Sequence, residues 1–210
     1  MSNTIVMFLK FGEETHIRDF YENGTVFINT IEKHRKAEDE FLRGDKYEGA
    51  SRIINSLPGK LKIPGVEREF NYNKIHLTES YEEVLGNIFS LYCISSHGFD
   101  KPEDFRIDKK NKRFGTHCLM VKDNEYFLSA IESALNNRGY QFHHGFVNYY
   151  DKNTENKELS LFEKPLEYEY QKEFRIYVEN DCLEPIKISI GSLASYSEIH
   201  LTEDIMNLSL

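Results

Sequence analysis

The chain has 210 residues, of which 40% are hydrophobic and 29% charged, and its formal net charge is −9. That is enough chain for one domain that buries roughly two-thirds of its unfolded surface, and the acidic balance argues against a whole-molecule electrostatic grip on nucleic acid. Three cysteines without a Cys-x-x-Cys pair exclude a disulfide framework and a structural zinc site. No apolar run approaches the ~18–20 residues of a membrane span, and with no basic leader-like start the expected compartment is the cytoplasm.

Residues 5–11 (Ile-Val-Met-Phe-Leu-Lys-Phe) are nearly all apolar and predict a strand buried on both faces. Residues 14–22 space Ile17, Phe20 and Tyr21 for a short helix, with Gly24 just past its end. Residues 25–29 read as a second strand. Residues 32–52 then carry six basic and six acidic side chains, which suits either a solvated helix and loop laced with ion pairs or an ordered insertion beside a pocket. Pro-Gly pairs in residues 57–75 predict turns and a hairpin, so residues 32–75 are expected to be a charge-rich insertion or appendage within a single domain spanning residues 1–210. Residues 79–85 suggest one or two helical turns. Residues 88–94 and 116–121 read as strands, and residues 101–113, with six basic and three acidic side chains, as a solvated loop. The strongest helical stripe lies in residues 124–137, capped by Asp123, and residues 142–150 are aromatic and β-like.

Residues 167–178 alternate with period two. Tyr168, Tyr170, Phe174, Ile176 and Val178 fall on one parity, with Lys172 the exception there, and Glu167, Glu169, Gln171, Glu173 and Arg175 on the other. A strand there places Glu173 and Arg175 on one face with Cα atoms about 6.5–7 Å apart. Two readings stand: a polar ligand-binding face using Gln171, Glu173 and Arg175, or an exposed face of cross-strand ion pairs. Residues 186–190 and 198–201 complete an expected α+β fold of mixed, mainly antiparallel sheets, with seven or eight strands and about three helices.

In Arg43-Gly-Asp-Lys-Tyr-Glu-Gly49 two glycines allow a tight turn that presents Asp45 and Glu48. Arg43, Asp45 and Glu48 are therefore candidate ligand contacts, although the spacing of Asp39, Asp45 and Glu48 matches no calcium loop and no metal is assigned. The adjacent pair His143–His144, and Cys118 next to His117, point to opposite faces in a strand, so neither makes a chelating or nucleophilic pair. Gly-rich phosphate loops, Gly-x-Ser-x-Gly and His-Glu-x-x-His are absent from the sequence.

Phe8-Leu-Lys-Phe-Gly12, Phe27-Ile-Asn-Thr30, the 43–49 stretch, Phe162-Glu-Lys and Tyr170-Gln-Lys-Glu-Phe-Arg-Ile176 together resemble a large group of bacterial and phage-borne proteins that has no established activity. The strand, short helix, glycine, strand opening and the glutamate in a late strand also resemble the ADP-ribosyltransferase core. That resemblance implies NAD as substrate and Glu173 as the catalytic carboxylate. It puts Lys10 where that family has arginine or histidine, and Asn29 and Thr30 where it has serine, threonine or tyrosine. A lysine supplies a point charge rather than a bidentate fork. Two function classes follow: a nucleotide- or NAD-using transferase, and a non-enzymatic binding or inhibitor protein of phage–host conflict that recognises a nucleotide signal or a protein partner.

Overall fold

One strand, buried almost throughout on both faces, organises the molecule. It is Asn87–Ser95, and its sequence Asn-Ile-Phe-Ser-Leu-Tyr-Cys-Ile-Ser leaves only Ser90 part-exposed. The computed structural model describes residues 4–36, 47–97, 101 and 105–207. In chain order these form β1 (Ile5–Gly12), α1 (Glu14–Asn23), β2 (Thr25–Thr30), α2 (Ile31–Lys36), β3 (Ala50–Ser56), β4 (Gly59–Lys62), β5 (Glu69–Tyr72), β6 (Ile75–Ser80) and β7 (Asn87–Ser95). Then follow β8 (His117–Val121), α3 (Asn124–Asn136), β9 (Phe142–Phe146), β10 (Asn148–Tyr150), β11 (Lys157–Glu158) and β12 (Glu163–Pro165). Last come β13 (Glu173–Val178), β14 (Ile186–Ser189), β15 (Ser197–Leu201) and α4 (Thr202–Met206). The fold is α+β, with several antiparallel sheets, and has more and shorter strands than the seven or eight expected.

The largest sheet has eight strands, with the path β14-β2-β7-β1-β8-β15 and with β13 joined to β7 and β9. Its main core lies under α1 and α3. Phe8, Phe20, Phe89, Phe127 and Phe174 meet there, with Phe8 and Phe174 ring centroids 5.1 Å apart. Each such buried ring contributes about 1.5–3 kcal/mol of transfer free energy. The opposite face carries two smaller apolar clusters. One is built around Ile31, Val84 and Ile88, the other around Leu9, Tyr92, Ile94 and Cys118. Period-two alternation therefore leaves a polar window between them: Phe174, Ile176 and Val178 enter the main core, while Glu173 and Arg175 leave β13 on the other side.

The edge of β7 forks. β13 pairs with Asn87–Tyr92 along one edge, so β1, facing Tyr92–Ser95, and β2, facing Asn87 and Ile88, share the other. They diverge across residues 89–91, where no strand among the described residues takes up the ladder on that edge. The Ser90 carbonyl at this gap accepts instead from Lys10 Nζ at 2.7 Å.

Three expected elements differ. Residues 75–80 are strand β6, paired with β3, and residues 81–86 are bends and coil, so no helix occupies 79–85. Within 101–113, a 3-10 helix forms over Lys109–Phe114, capped by Asp108, which accepts from Lys110 N at 2.8 Å. Asn111 is buried in it and ties it to the Tyr170 carbonyl at 2.9 Å. Residues 167–171 are not strand. Leu166–Gln171 is a 3-10 helix after Pro165, and Lys172, with φ 38°, turns the chain into β13. The polar alternation thus belongs to a strand only from Glu173 onward. Residues 57–75 do contain a hairpin, β4 with β5, and β3, β6 and β11 make a separate three-stranded sheet.

α1 ends at Gly24, whose left-handed φ of 62° closes the helix through its N–H to the Phe20 carbonyl. A Cβ at Gly24 would lie 1.9 Å from the Gly191 carbonyl oxygen. Gly24→Ala is expected to cost at least about 1–3 kcal/mol from overpacking, with added backbone strain. Urea denaturation checks this, and an unchanged midpoint would refute the tight α1–β14 corner.

Candidate functional site

The polar window opens into a cavity of about 310 Å³ at the fork, within the size range of small-molecule sites. β1 contributes Leu9, Lys10 and Phe11, β2 contributes Asn29, and α2 contributes Lys33 and His34. Ser90 and Tyr92 come from β7, Asn111 and Phe114 from the first 3-10 helix, and Lys164, Gln171 and Glu173 from the chain around the second.

Behind this cavity lies a buried ion network. Arg175, Glu48 and Glu173 are 0%, 4% and 4% exposed. The Arg175 guanidinium grips Glu48 with a fork, Nη1 to Oε1 at 2.6 Å and Nη2 to Oε2 at 3.0 Å. Its Nε donates to Glu173 Oε1 at 2.8 Å, and Nη1 also donates to the Leu161 carbonyl. Lys164 Nζ donates to Glu173 Oε2 at 2.6 Å and to Gln171 Oε1 at 2.9 Å, and lies 3.7 Å from Glu48 Oε2. The Ser90 hydroxyl donates to Glu173 Oε1, and the Glu173 amide donates to the Tyr149 hydroxyl at 2.9 Å. Two carboxylates and two cations balance, as buried charges must.

This environment sets different protonation states side by side. Burial is the largest single influence on Glu173 and opposes its ionisation, but Arg175 and Lys164 together outweigh it and hold the carboxyl well below the usual range. Burial lowers Lys10 to about 8, against an upward pull from Glu173. Burial also lowers His34 to about 4, so its imidazole is neutral near pH 7. Tyr149 is pushed upward by burial and by the Glu173 charge and stays a phenol. Since the four network charges cancel, Lys10 and Lys33 give the cavity a cationic excess. Asn29 Oδ1 and His34 Nε2 are among the buried side-chain atoms that have no hydrogen-bond partner among the described residues. Both belong to cavity-lining residues, whereas buried polar atoms are normally satisfied. Among the described residues no group of three His, Cys, Asp or Glu side chains is placed to hold a metal ion.

Of the residues singled out from sequence, Lys10, Asn29, Gln171 and Glu173 line this cavity. Arg175 and Glu48 lie behind it, joined to each other rather than open to a ligand. The polar face is thus neither an exposed row of cross-strand pairs nor wholly a binding surface. Thr30 Oγ1 accepts from the Lys33 amide at 3.2 Å and caps α2, outside the cavity lining. Arg43 and Asp45 lie outside the described residues. Lys164 and Ser90 are site residues that the sequence reading did not single out. Lys164 stood in the quoted Phe162-Glu-Lys run, but no local pattern marks a lysine as the partner of a glutamate nine residues on. His34 stands in a charge-rich stretch with no local pattern that marks it as a site residue.

No family model, curated protein or solved structure matches this chain.

Two measurements test the network. Arg175→Met strands two buried carboxylates and is expected to cost about 3–5 kcal/mol. Adding Glu48→Gln should then cost less than the sum of the single changes in a double-mutant cycle, and strict additivity would refute the fork. For acid stability both relevant shifts are downward, so their stabilisation is present at high pH and lost as pH falls. His34 begins the loss below its unperturbed 6.5, completing near 4, and Glu173 adds to it below 4.5. Stability of His34→Gln should stay flat between pH 6.5 and 4.5 where the wild type declines; parallel curves would exclude a neutral buried His34.

Proposed function

We propose that the fork cavity binds a nucleotide of the NAD class and that the protein transfers or hydrolyses its glycosyl group, in the manner of an ADP-ribosyltransferase. The observation that carries this reading is convergence. Lys10, Asn29, Gln171 and Glu173, drawn from the first and last thirds of the chain, line one cavity, and its carboxylate is held ionised.

The chemistry follows from the lining groups. Lys10 and Lys33 attract the phosphates of an anionic ligand. Asn29 Oδ1 accepts a hydrogen bond from a ribose hydroxyl or a carboxamide, and His34 Nε2 donates or accepts one according to its tautomer. Phe11 and Phe114, part-buried rings of the lining, offer apolar surface to a base. A cavity of about 310 Å³ is at the small end for ligand sites, so it suits one nucleoside half of a dinucleotide. As the bond from ribose to nicotinamide breaks, positive charge grows on the ribose. The Glu173 carboxylate stabilises that charge without reorganising, because Arg175 and Lys164 already fix it.

A second reading, binding without turnover, is favoured by one observation. Glu173 already accepts from Arg175, Ser90 and Lys164, so its carboxylate also has a structural duty. Glu173→Gln consequently weakens the fold as well as the site, contrary to the expectation for a carboxylate used only in catalysis, and its activity must be read on protein shown to be folded.

Proton NMR of the protein with NAD separates the readings. Nicotinamide release that is lost in folded Glu173→Gln and falls at least about tenfold in Asn29→Ala, an effect of removing one transition-state contact, supports glycosyl transfer. Saturable broadening of NAD signals without release supports binding alone. The absence of both release and broadening would overturn the proposal.

A further inference from the structure

We propose that Lys10 is an amine nucleophile that captures the open-chain aldehyde of a phosphorylated sugar as an imine within the fork cavity. The inference rests on the cavity reading above for its ligand class, since cleavage at the ribose C1 yields a sugar whose open form carries an aldehyde there. It does not require that the protein itself perform the cleavage.

Three features of the site suit this chemistry. The first is the state of the amine. Lysine is nucleophilic only when unprotonated, and desolvation is a recognised way to supply that form near neutral pH; burial brings Lys10 to about 8. The second is access. Lys10 is part-buried and lines the cavity together with Asn29, Lys33, His34 and Glu173, so an occupant meets it directly. The third is what surrounds the product. A protonated imine keeps one N–H, which can still donate to the Ser90 carbonyl that Lys10 now occupies at 2.7 Å. Its cation rests 4.3 Å from the Phe89 ring centroid and feels the Glu173 carboxylate.

Among the described residues, the charged side chains and the imidazole that share the cavity with this amine come from three elements besides its own strand. Glu173 of β13 is the anion, Lys164 of β12 is paired to that carboxylate, and Lys33 and His34 of α2 line the same space. Lys33 remains as a cation for the sugar phosphate. Asn29 Oδ1, without a hydrogen-bond partner among the described residues, is an acceptor for its hydroxyls, and His34 Nε2 meets them as donor or acceptor according to its tautomer.

The step balances without any oxidant. The Nζ lone pair attacks the aldehyde carbon and the carbonyl oxygen takes a proton, giving a carbinolamine. The hydroxyl takes a proton from solvent and leaves as water, forming the C=N bond as the iminium, which becomes the neutral imine when the nitrogen returns its remaining proton to solvent.

The test is reductive trapping of the full chain with ribose 5-phosphate and sodium cyanoborohydride, read by intact mass and peptide mapping. The expected result is one dominant adduct at Lys10, formed at least roughly tenfold faster than at the exposed Lys60 or Lys109 and faster than with unphosphorylated ribose. Lys10→Arg and Lys10→Met should lose it. Adducts spread over the exposed lysines, with Lys10 labelled no faster than they are, would overturn the proposal whether or not a variant folds. Trapping at Lys10 without nicotinamide release from NAD would uphold the imine and count against glycosyl transfer. Nicotinamide release without trapping would do the reverse.

Discussion

The structure depends on how one guanidinium is held. Arg175 sits on β13 with no exposed surface, and a buried cation is tolerated only where carboxylates and carbonyls surround it. Its partners come from three separate places in the chain: Glu48 from the segment before β3, the Leu161 carbonyl from the turn before β12, and Glu173 from its own strand. Meeting that requirement fixes where each of these segments lies. The charge-rich region that reads in sequence as an appendage is therefore bound to the centre of the fold at Glu48, although β3 to β6 lie outside the largest sheet.

The same constraint explains why the cavity is where it is. The main aromatic core takes one face of β7 and β13. On the other face the two small apolar clusters leave the space around Ser90, Glu173 and Arg175 unfilled by hydrocarbon. β1 and β2 cannot close it, because they share one edge of β7 and separate there. The gap is consequently polar in its walls, bounded by aromatic side chains, and open at the fork. Carboxylate, amide and ammonium groups reach one point from strands that are distant in sequence.

Much of the fold was legible locally. Apolar runs marked β1, β7 and β8, the 3.6-residue stripe of Phe127, Ile131 and Leu135 marked α3, and Gly24 marked the end of α1. The parity of Glu173 and Arg175 was legible too, but its meaning was not. Alternation shows that two side chains leave the same face; it does not show whether water or another charged segment meets them. That answer depends on Glu48, 127 residues from Arg175, and on Lys164, neither of which any periodicity connects to β13. The extension of the strand back to residue 167 failed for a related reason. Leu166–Gln171 has strand-like alternation, yet it follows Pro165 and meets the Asn111 side chain through the Tyr170 carbonyl, and these contacts favour a tight 3-10 turn over an extended chain.

Lys10 is the residue for which a purely structural explanation is least sufficient. The unpaired Ser90 carbonyl at the fork needs a donor, which accounts for a polar side chain at position 10. It does not account for a cationic one. A neutral amide of similar reach would satisfy the carbonyl without the desolvation that lowers the lysine to about 8, and the four charges of the network already cancel without it. A folded-state shift of this sign means that the charged form is held less favourably than in the unfolded chain, so at neutral pH the lysine opposes folding. Positions that oppose folding and still keep a reactive group are expected where the group meets a ligand. An anion entering the cavity would relieve the cost by pairing with the ammonium, and an aldehyde would relieve it by using the amine. On either account the energetic penalty at Lys10 is released by an occupant of the fork, which ties the least favourable charge in the fold to the cavity's use.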